Sequence, residues 1–215
     1  MGQKVNPHLF RLGPVFNWSS RWFSEKNYKD TLLQDVHLRK FLMKRLEAAG
    51  IARVELERSI NSIKVILHVS RPGMVIGRGG TGLEDLKKAV NQVLVQYQKG
   101  KNVPKLEIRV EPVKDPSLDA YLVAKNVADQ LARRLPYKRV LNQSAEKTMA
   151  SGAKGVKILL AGRIGGAEIR RSEKINKGTV PMSTIRENIQ YASVPSLTKK
   201  GYIGVKVWIN APEGK

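Results

Sequence analysis

The sequence contains no cysteine among its 215 residues. This absence excludes disulfides, thiolate metal sites and a cysteine nucleophile, and it fits a reducing compartment. Histidine is nearly absent as well. The three histidines, His8, His37 and His68, lie far apart, and none begins a metal-binding spacing such as H-E-x-x-H. We therefore expect no metal and no other cofactor.

Long hydrophobic runs are also missing. No apolar segment approaches the about 20 residues that a membrane-spanning helix needs. The N-terminus lacks the apolar core of a signal peptide. We expect a protein that is neither inserted into a membrane nor exported, and that stays in the cytoplasm.

Acidic residues are few, since 39 Lys and Arg stand against 18 Asp and Glu, a net charge of +21. Residues 1–35, 36–110 and 111–215 carry net charges of +2, +9 and +10. A charge spread in this way favours a protein embedded in a polyanion, for which nucleic acid is the expected partner, over an enzyme with one basic tail. The 41% of hydrophobic residues suffices for a packed core.

The pattern of hydrophobic residues divides the chain into three parts. Residues 1–35 have turn residues and aromatics without lasting periodicity, so we expect an N-terminal arm. Residues 36–111 predict, in order, a helix from Val36 to a stop at Gly50, two alternating strands, a short helix, a glycine loop, a helix and a strand. This order is that of a type II KH domain, an RNA-binding module.

Residues 112–215 predict a second domain. Asp115 can cap a helix with Pro116 at its first position, Pro136 interrupts it, and a further helix runs from Tyr137 toward Gly152. Strands are expected at 156–160, 168–175 and 203–209, with extended structure around 185–191. The predicted fold class is therefore α+β: a type II KH domain followed by a second α+β domain with two helices packed on a mostly antiparallel sheet.

The glycine loop is the strongest functional motif. Gly77, Arg78, Gly79 and Gly80 form a GxxG loop between two predicted helices, and Arg71 precedes the first of these helices. Glycines let backbone amides approach phosphates closely, and the helix N-terminus and Arg78 add positive potential. We expect these five residues to bind RNA.

The same loop permits two other interpretations. Gly77, Gly79 and Gly82 spell the G-x-G-x-x-G fingerprint of a dinucleotide-dependent enzyme. That fingerprint needs its first glycine at a strand end and an acid about 20 residues further on, and residues 86–106 contain no Asp or Glu. The other interpretation is a tight turn that binds nothing.

Further cations are candidates for RNA contacts. Lys4 and Arg11 lie in the arm, and Arg163, Arg170 and Arg171 flank a second glycine turn at residues 162–166. The glycines of this turn could alternatively serve only to let strands pack closely. In the arm, Trp18 and Trp22 could stack on bases or anchor the arm to its own domain.

Four segments of the chain, MGQKVNP, RPGMVIGRGG, GAKGVKILLAGRIGGAEIRRSE and GYIGVKVWI, carry a family resemblance. The sequence resembles the bacterial-type small-subunit ribosomal protein three family. The resemblance implies a structural protein in the head of the small subunit that binds ribosomal RNA near proteins ten and fourteen of that subunit. It also implies a ribosome-bound location in the cytoplasm, with a plastid ribosome as the alternative.

The resemblance further implies that the second domain helps line the channel through which messenger RNA enters. A basic helix of the family faces that channel, and its basic pair matches Lys138 and Arg139, whereas Asn142 and Gln143 stand where the family commonly has further cations. No nucleophile and base cluster appears, so we expect no enzyme and no small-molecule substrate. The alternative is a free KH-type RNA chaperone or messenger-binding regulator.

Overall fold

The computed structural model describes residues 4–59, 61–97 and 105–212. Contacts divide the chain into two compact units, one of Trp18–Lys114 and one that joins Met1–Asn17 to Asp115–Lys215. The expected arm of residues 1–35 is therefore not a part of its own, because its first half packs with the second domain and its second half with the first. The chain passes between the units after Lys114, three residues beyond the expected boundary at 111.

The structure contains six α-helices and eight strands within the described residues. The helices are α1 Pro7–Phe10, α2 Tyr28–Arg45, α3 Pro72–Ile76, α4 Thr81–Tyr97, α5 Ala120–Ala132 and α6 Tyr137–Ala150. The strands are β1 Ser20–Arg21, β2 Ile51–Arg58, β3 Ser62–Val69, β4 Lys105–Pro112, β5 Gly155–Gly162, β6 Arg171–Gly178, β7 Ile189–Thr198 and β8 Gly201–Asn210.

The first unit is a four-stranded sheet in the order β1-β2-β3-β4, with α2 and α4 packed against each other and against the sheet. β2 pairs with β3 antiparallel, and β3 pairs with β4 in parallel. The buried face of these elements includes Leu38, Leu42, Val54, Leu56, Val65, Leu67, Leu86, Val90 and Leu94. From α2 to β4 the order is α-β-β-α-α-β, which confirms the type II KH fold.

The first helix is longer than predicted. It begins at Tyr28, whereas the prediction placed its start at Val36. The first two turns escaped the prediction because their leucines, Leu32 and Leu33, are exposed and do not continue the apolar periodicity of the rest of the helix. The buried carboxylate of Asp35 holds this end in place, since it accepts hydrogen bonds from Trp22 Nε1 at 2.8 Å and Arg58 Nε at 2.7 Å. Trp22 is therefore an anchor, the second of the two roles considered for it.

The parallel pairing of β3 and β4 requires a crossover, which α3, the glycine loop and α4 provide. Gly82, in the first turn of α4, lets the two helices meet closely. A Cβ at Gly82 would lie 2.8 Å from the carbonyl oxygen of Val75 and 3.1 Å from that of Ile76. Both neighbours are backbone atoms of α3, which cannot move aside as a flexible side chain could. The two helices can therefore approach this closely, with the glycine loop between them, only because Gly82 has no side chain.

The second unit is an antiparallel sheet in the order β6-β5-β8-β7. α5 packs on β7 and β8, and α6 packs on β5 and β6. The core between helices and sheet includes Val123, Val127, Leu131, Val140, Leu141, Val156, Ile158, Leu160, Val205 and Val207. This confirms the expected domain of two helices on an antiparallel sheet.

The expected cap of the first helix in this unit is wrong. Asp115 and Pro116 begin a short 3-10 turn, and the α-helix is capped by Asp119, whose carboxylate accepts from the amides of Tyr121 at 2.9 Å and Leu122 at 3.1 Å. Helix-start signals occur twice within five residues, so the pattern alone did not separate them. The second helix does begin at Tyr137, directly after Pro136.

The two edge strands of this sheet are β6, which is rich in cations, and β7, which contains a proline. β6 carries Arg171, Lys174 and Lys177. β7, which extends to Thr198 and so exceeds the expected extended segment, contains Pro195. Proline cannot donate a ladder hydrogen bond and is tolerated at a sheet edge.

Across the described ranges, none of the helices combines the length and apolar character needed to cross a bilayer.

We predict that Gly82→Ala lowers the free energy of unfolding of the first unit by about 1–3 kcal/mol, because the added methyl group meets backbone atoms of α3. Gly73→Ala is the matched control. A Cβ at Gly73 would meet nothing within 4 Å, so this change should be neutral or stabilising by less than about 1 kcal/mol. Calorimetric unfolding of both variants checks this, and equal stabilities would contradict the assigned role of Gly82.

Candidate nucleic-acid interface

The GxxG loop is an exposed turn between α3 and α4. Gly77, Gly79 and Gly80 have φ angles of 71°, 63° and 83°, in the left-handed region that favours glycine. The side chains of Arg78 and Arg71 are both exposed. The hydroxyl of Thr81 donates to the carbonyl of Arg78 at 3.0 Å and ties the end of the loop to α4. Gly77 to Gly80 thus form one exposed turn at the C-terminal end of α3, and Arg71 stands at the N-terminal end of the same short helix.

The short helix before the loop contributes an apolar surface that sequence reasoning missed. Met74 is 55% exposed and Ile76 is 40% exposed, whereas Val75 between them is buried. The signal was present in the sequence, because a helix of five residues can bury only one side. Beside the loop the chain therefore offers an apolar patch as well as a cationic one.

The dinucleotide interpretation of this loop is wrong. β3 ends at Val69, and the whole of α3 lies between that strand and Gly77. In the dinucleotide fold the first glycine stands directly at the strand end, where the following helix can direct its N-terminus at a pyrophosphate. Gly82 serves helix packing here.

The second glycine turn follows β5 and is formed by residues 162–166. Gly162 packs closely, since a Cβ there would lie 2.8 Å from the carbonyl oxygen of Tyr202, but a Cβ at Gly165 would meet nothing within 4 Å. Close strand packing therefore explains Gly162 and does not explain Gly165. Arg163 is exposed, and its Nε donates to the carbonyl of Ala167 at 2.9 Å, which fixes its orientation. Arg170 and Arg171 are exposed just beyond the turn.

Helix α6 presents its basic pair in its first turn. Lys138 and Arg139 are exposed, and Val140 and Leu141 are buried beside them in the core. Asn142 and Gln143 are exposed one turn further along the same helix. One side of α6 is thus packed in the core, while the other side presents two cations to solvent.

Lys4 takes part in a crowded group of cations on the second unit. Lys4 is exposed, and the ammonium of Lys157 lies 5.3 Å from the centre of the Trp208 ring. Burial is the main cause that lowers the pKa of Lys157, and the charges of Lys4 and Lys174 lower it further. A neighbouring anion would offset the repulsion among these like charges.

Arg11 is not placed where RNA could reach it. Its side chain is fully buried, and its Nη2 donates to the carbonyls of Pro181, Met182 and Thr184 at 3.2, 3.1 and 2.6 Å. Burial lowers the pKa of the guanidinium, and the carboxylate of Glu187 acts in the opposite direction. The expectation that Arg11 contacts RNA is therefore corrected: Arg11 joins the N-terminal segment to the second domain.

Comparison with known proteins identifies both units. Residues 37–118 match the family described as "KH domain", and residues 127–209 match the family described as "Ribosomal protein S3, C-terminal domain". The small ribosomal subunit protein uS3 of Bacillus cytotoxicus is 45% identical over 209 residues, which are 97% of this chain and 92% of that protein. The uS3 proteins of Clostridium novyi and Lactobacillus helveticus are 44% and 43% identical over 97% and 99% of this chain, and 92% of each of them. The chain belongs to the uS3 family.

Membership of the uS3 family agrees with the family resemblance of the four sequence segments. Neither matched family is a family of enzymes, in accord with the expected non-enzymatic role. Within the described residues, no three His, Asp or Glu side chains are grouped as a metal site would require. The uS3 relatives cover nearly the whole chain, so both units belong to the family together.

For this uS3 family member we predict that Arg11→Met lowers the free energy of unfolding of the second unit by about 2 kcal/mol or more, because four carbonyls, that of Pro7 included, lose their donor. Lys4→Met removes the same charge from an exposed position and should change stability by less than about 0.5 kcal/mol. Urea unfolding of both variants distinguishes them. An unchanged stability of Arg11→Met would show that the buried guanidinium does not join the segment to the domain.

Proposed function

We propose that the protein is a structural component of the small ribosomal subunit, that it binds ribosomal RNA in the subunit head, and that it helps form the channel through which messenger RNA enters. The observation that carries this proposal is the identity of 43–45% with uS3 proteins over nearly the whole chain. It works by electrostatics and shape. Lysines and arginines neutralise phosphates while the folded units hold an RNA surface in position.

The proposed contacts to ribosomal RNA lie on both units. On the first unit they are Arg71 and the loop of Gly77, Arg78, Gly79 and Gly80. The exposed left-handed backbone of that loop and the apolar surface of α3 suit single-stranded RNA. On the second unit they are Lys4, Arg163, Arg170 and Arg171, which are all exposed. The neighbours we propose in the subunit are proteins ten and fourteen.

Lys138 and Arg139 are the proposed contacts to messenger RNA. Both are exposed in the first turn of a helix whose opposite side is buried, and neither forms an ion pair with any residue that the structure describes. Asn142 and Gln143, one turn further on, add no charge. We therefore propose a messenger contact with two cations on this helix, and a correspondingly modest contribution to opening structured messages.

Sedimentation of a tagged copy from a lysate tests the ribosomal role. In a low-magnesium sucrose gradient the tag should travel with the small subunit, and it should survive a wash at raised salt because folded contacts supplement the salt-sensitive phosphate contacts. A tag that stays at the top of the gradient, or leaves at modest salt while it binds free RNA, would favour the RNA chaperone or regulator instead.

The channel role predicts a selective defect. Lys138→Ala combined with Arg139→Ala should impair translation of hairpin-containing messages more than translation of unstructured ones, with normal subunit assembly. Lys87→Ala combined with Lys88→Ala removes the same charge from α4 and is the control for a general loss of positive potential. Reconstituted translation with both kinds of message measures the effect. An equal loss of assembly in the channel variant, or the same selectivity in the control, would count against the proposal.

A further inference from the structure

The second unit contains a cavity of about 340 Å³, and of the proposed RNA contacts Arg163 lines it. It lies between the turn that joins α5 to α6, the second glycine turn and the turn that joins β7 to β8. Cavities that hold small organic groups measure roughly 300–1,000 Å³, so this one could accept a single group of that kind.

The floor and one wall of the cavity are apolar. Leu131 and Ile203 belong to the buried core, and Leu135 and Pro136 lead to Tyr137, which packs against that core. The tyrosine is therefore fixed by packing on one side and borders the cavity on the other. A planar apolar group could stack in such a place.

Four cations border the same cavity: Arg134, Arg163, Lys199 and Lys200. None of them forms an ion pair with a carboxylate in the described part of the chain. Lys200 lies across the glycine turn, so that a Cβ at Gly166 would be 2.7 Å from its Cδ and 2.9 Å from its Nζ. The bare glycine thus makes room for the ammonium, and Arg163 is held by its bond to Ala167.

Arg134 has the only positive φ angle, 62°, among the non-glycine residues that the structure describes. It stands where α5 ends, with its amide bonded to the carbonyl of Leu131 at 2.9 Å and the next amide bonded to that of Gln130 at 3.2 Å. Glycine is the usual residue at this position of a helix end. These two bonds cap the end of α5 and account for the left-handed conformation, which places Arg134 at the cavity border.

We propose that this cavity binds one unpaired nucleotide of an RNA strand, with the base against Tyr137 and the phosphate at Lys200 and Arg163. An apolar floor with a cationic border matches a nucleotide, which has a flat apolar base and a charged phosphate. A carboxylate-rich peptide would satisfy the cations and leave the apolar wall empty. Lys138 and Arg139, the proposed contacts to messenger RNA, follow Tyr137 directly in the first turn of α6. The inference rests on the proposed function only in that the partner is RNA.

Photo-crosslinking of the full-length protein tests the site directly. The probe is a single-stranded decauridylate with one 4-thiouridine. We expect an adduct on the tryptic peptide of residues 135–138, and we expect free adenosine monophosphate to suppress it. Inorganic phosphate or oligoglutamate at the same concentration should suppress it less. Equal suppression by phosphate or oligoglutamate would overturn the nucleotide assignment.

Affinities of matched variants test the two halves of the site. Tyr137→Leu should weaken binding of a base-bearing oligonucleotide about five-fold or more, and leave an abasic oligomer of equal length unaffected. Tyr121→Leu is the control, because Tyr121 packs against the same core and does not line the cavity. Lys200→Gln should weaken both oligomers and reduce the salt slope by about 0.7, whereas Lys206→Gln, at an exposed site on β8, should not.

The outcomes separate this inference from the proposed function. Adducts confined to the KH loop, or equal affinities of Tyr137→Leu and Tyr121→Leu, would overturn the nucleotide site and leave the ribosomal role intact. An absence of RNA binding by the unaltered protein would overturn both. If Tyr137→Leu fails to fold, the competition experiment on the unaltered protein still decides the question.

Discussion

The parallel pairing of β3 with β4 is the constraint on which the first unit depends. Parallel neighbours cannot be joined by a tight hairpin, so the chain must leave the sheet, cross over it and return. The returning helix α4 is long enough to bury Leu86, Val90 and Leu94, whereas α3 buries only Val75. The glycine loop joins these two unequal helices, and Gly82 keeps them in close contact. The backbone of the loop is thus exposed, while its two ends are attached to helices that pack closely against each other.

Positive charge is used in two different ways in this protein. Most of the cations named above, such as Arg78, Arg163 and Lys138, are exposed to solvent. Arg11 has the opposite situation, since its charge is enclosed by backbone carbonyls and holds a segment from the start of the chain against the second unit. An arginine therefore stabilises the fold at one position and is available to a binding partner at others. Burial and hydrogen bonding decide which.

The sequence predicted the fold well where the signal is local. The alternating strands β2, β3 and β4 and the break at Pro136 follow from neighbouring residues. The predicted helix end at Gly50 is wrong, because α2 ends at Arg45 and Gly50 closes a separate 3-10 turn, Glu47–Ala49. The cap at Asp119 was missed because two local signals compete, but two other errors arose where distant residues decide. Arg11 appears to be an ordinary basic residue until the carbonyls of Pro181 to Thr184 enclose it, and these are far along the chain. The first turns of α2 are held by the contact of Asp35 with Arg58 of β2, and the cavity beside Tyr137 is formed by three turns that are separate in sequence.

The edges of the second sheet have a consequence for the free protein. A ribosomal protein must exist, for a time after synthesis, without the RNA that neutralises it. An open sheet edge in such a molecule is a template on which another copy could add a strand. The lysines of β6 oppose this by repulsion, and Pro195 interrupts the donors of β7. The same charge that prepares the protein for RNA thus opposes the addition of a strand from another unassembled copy.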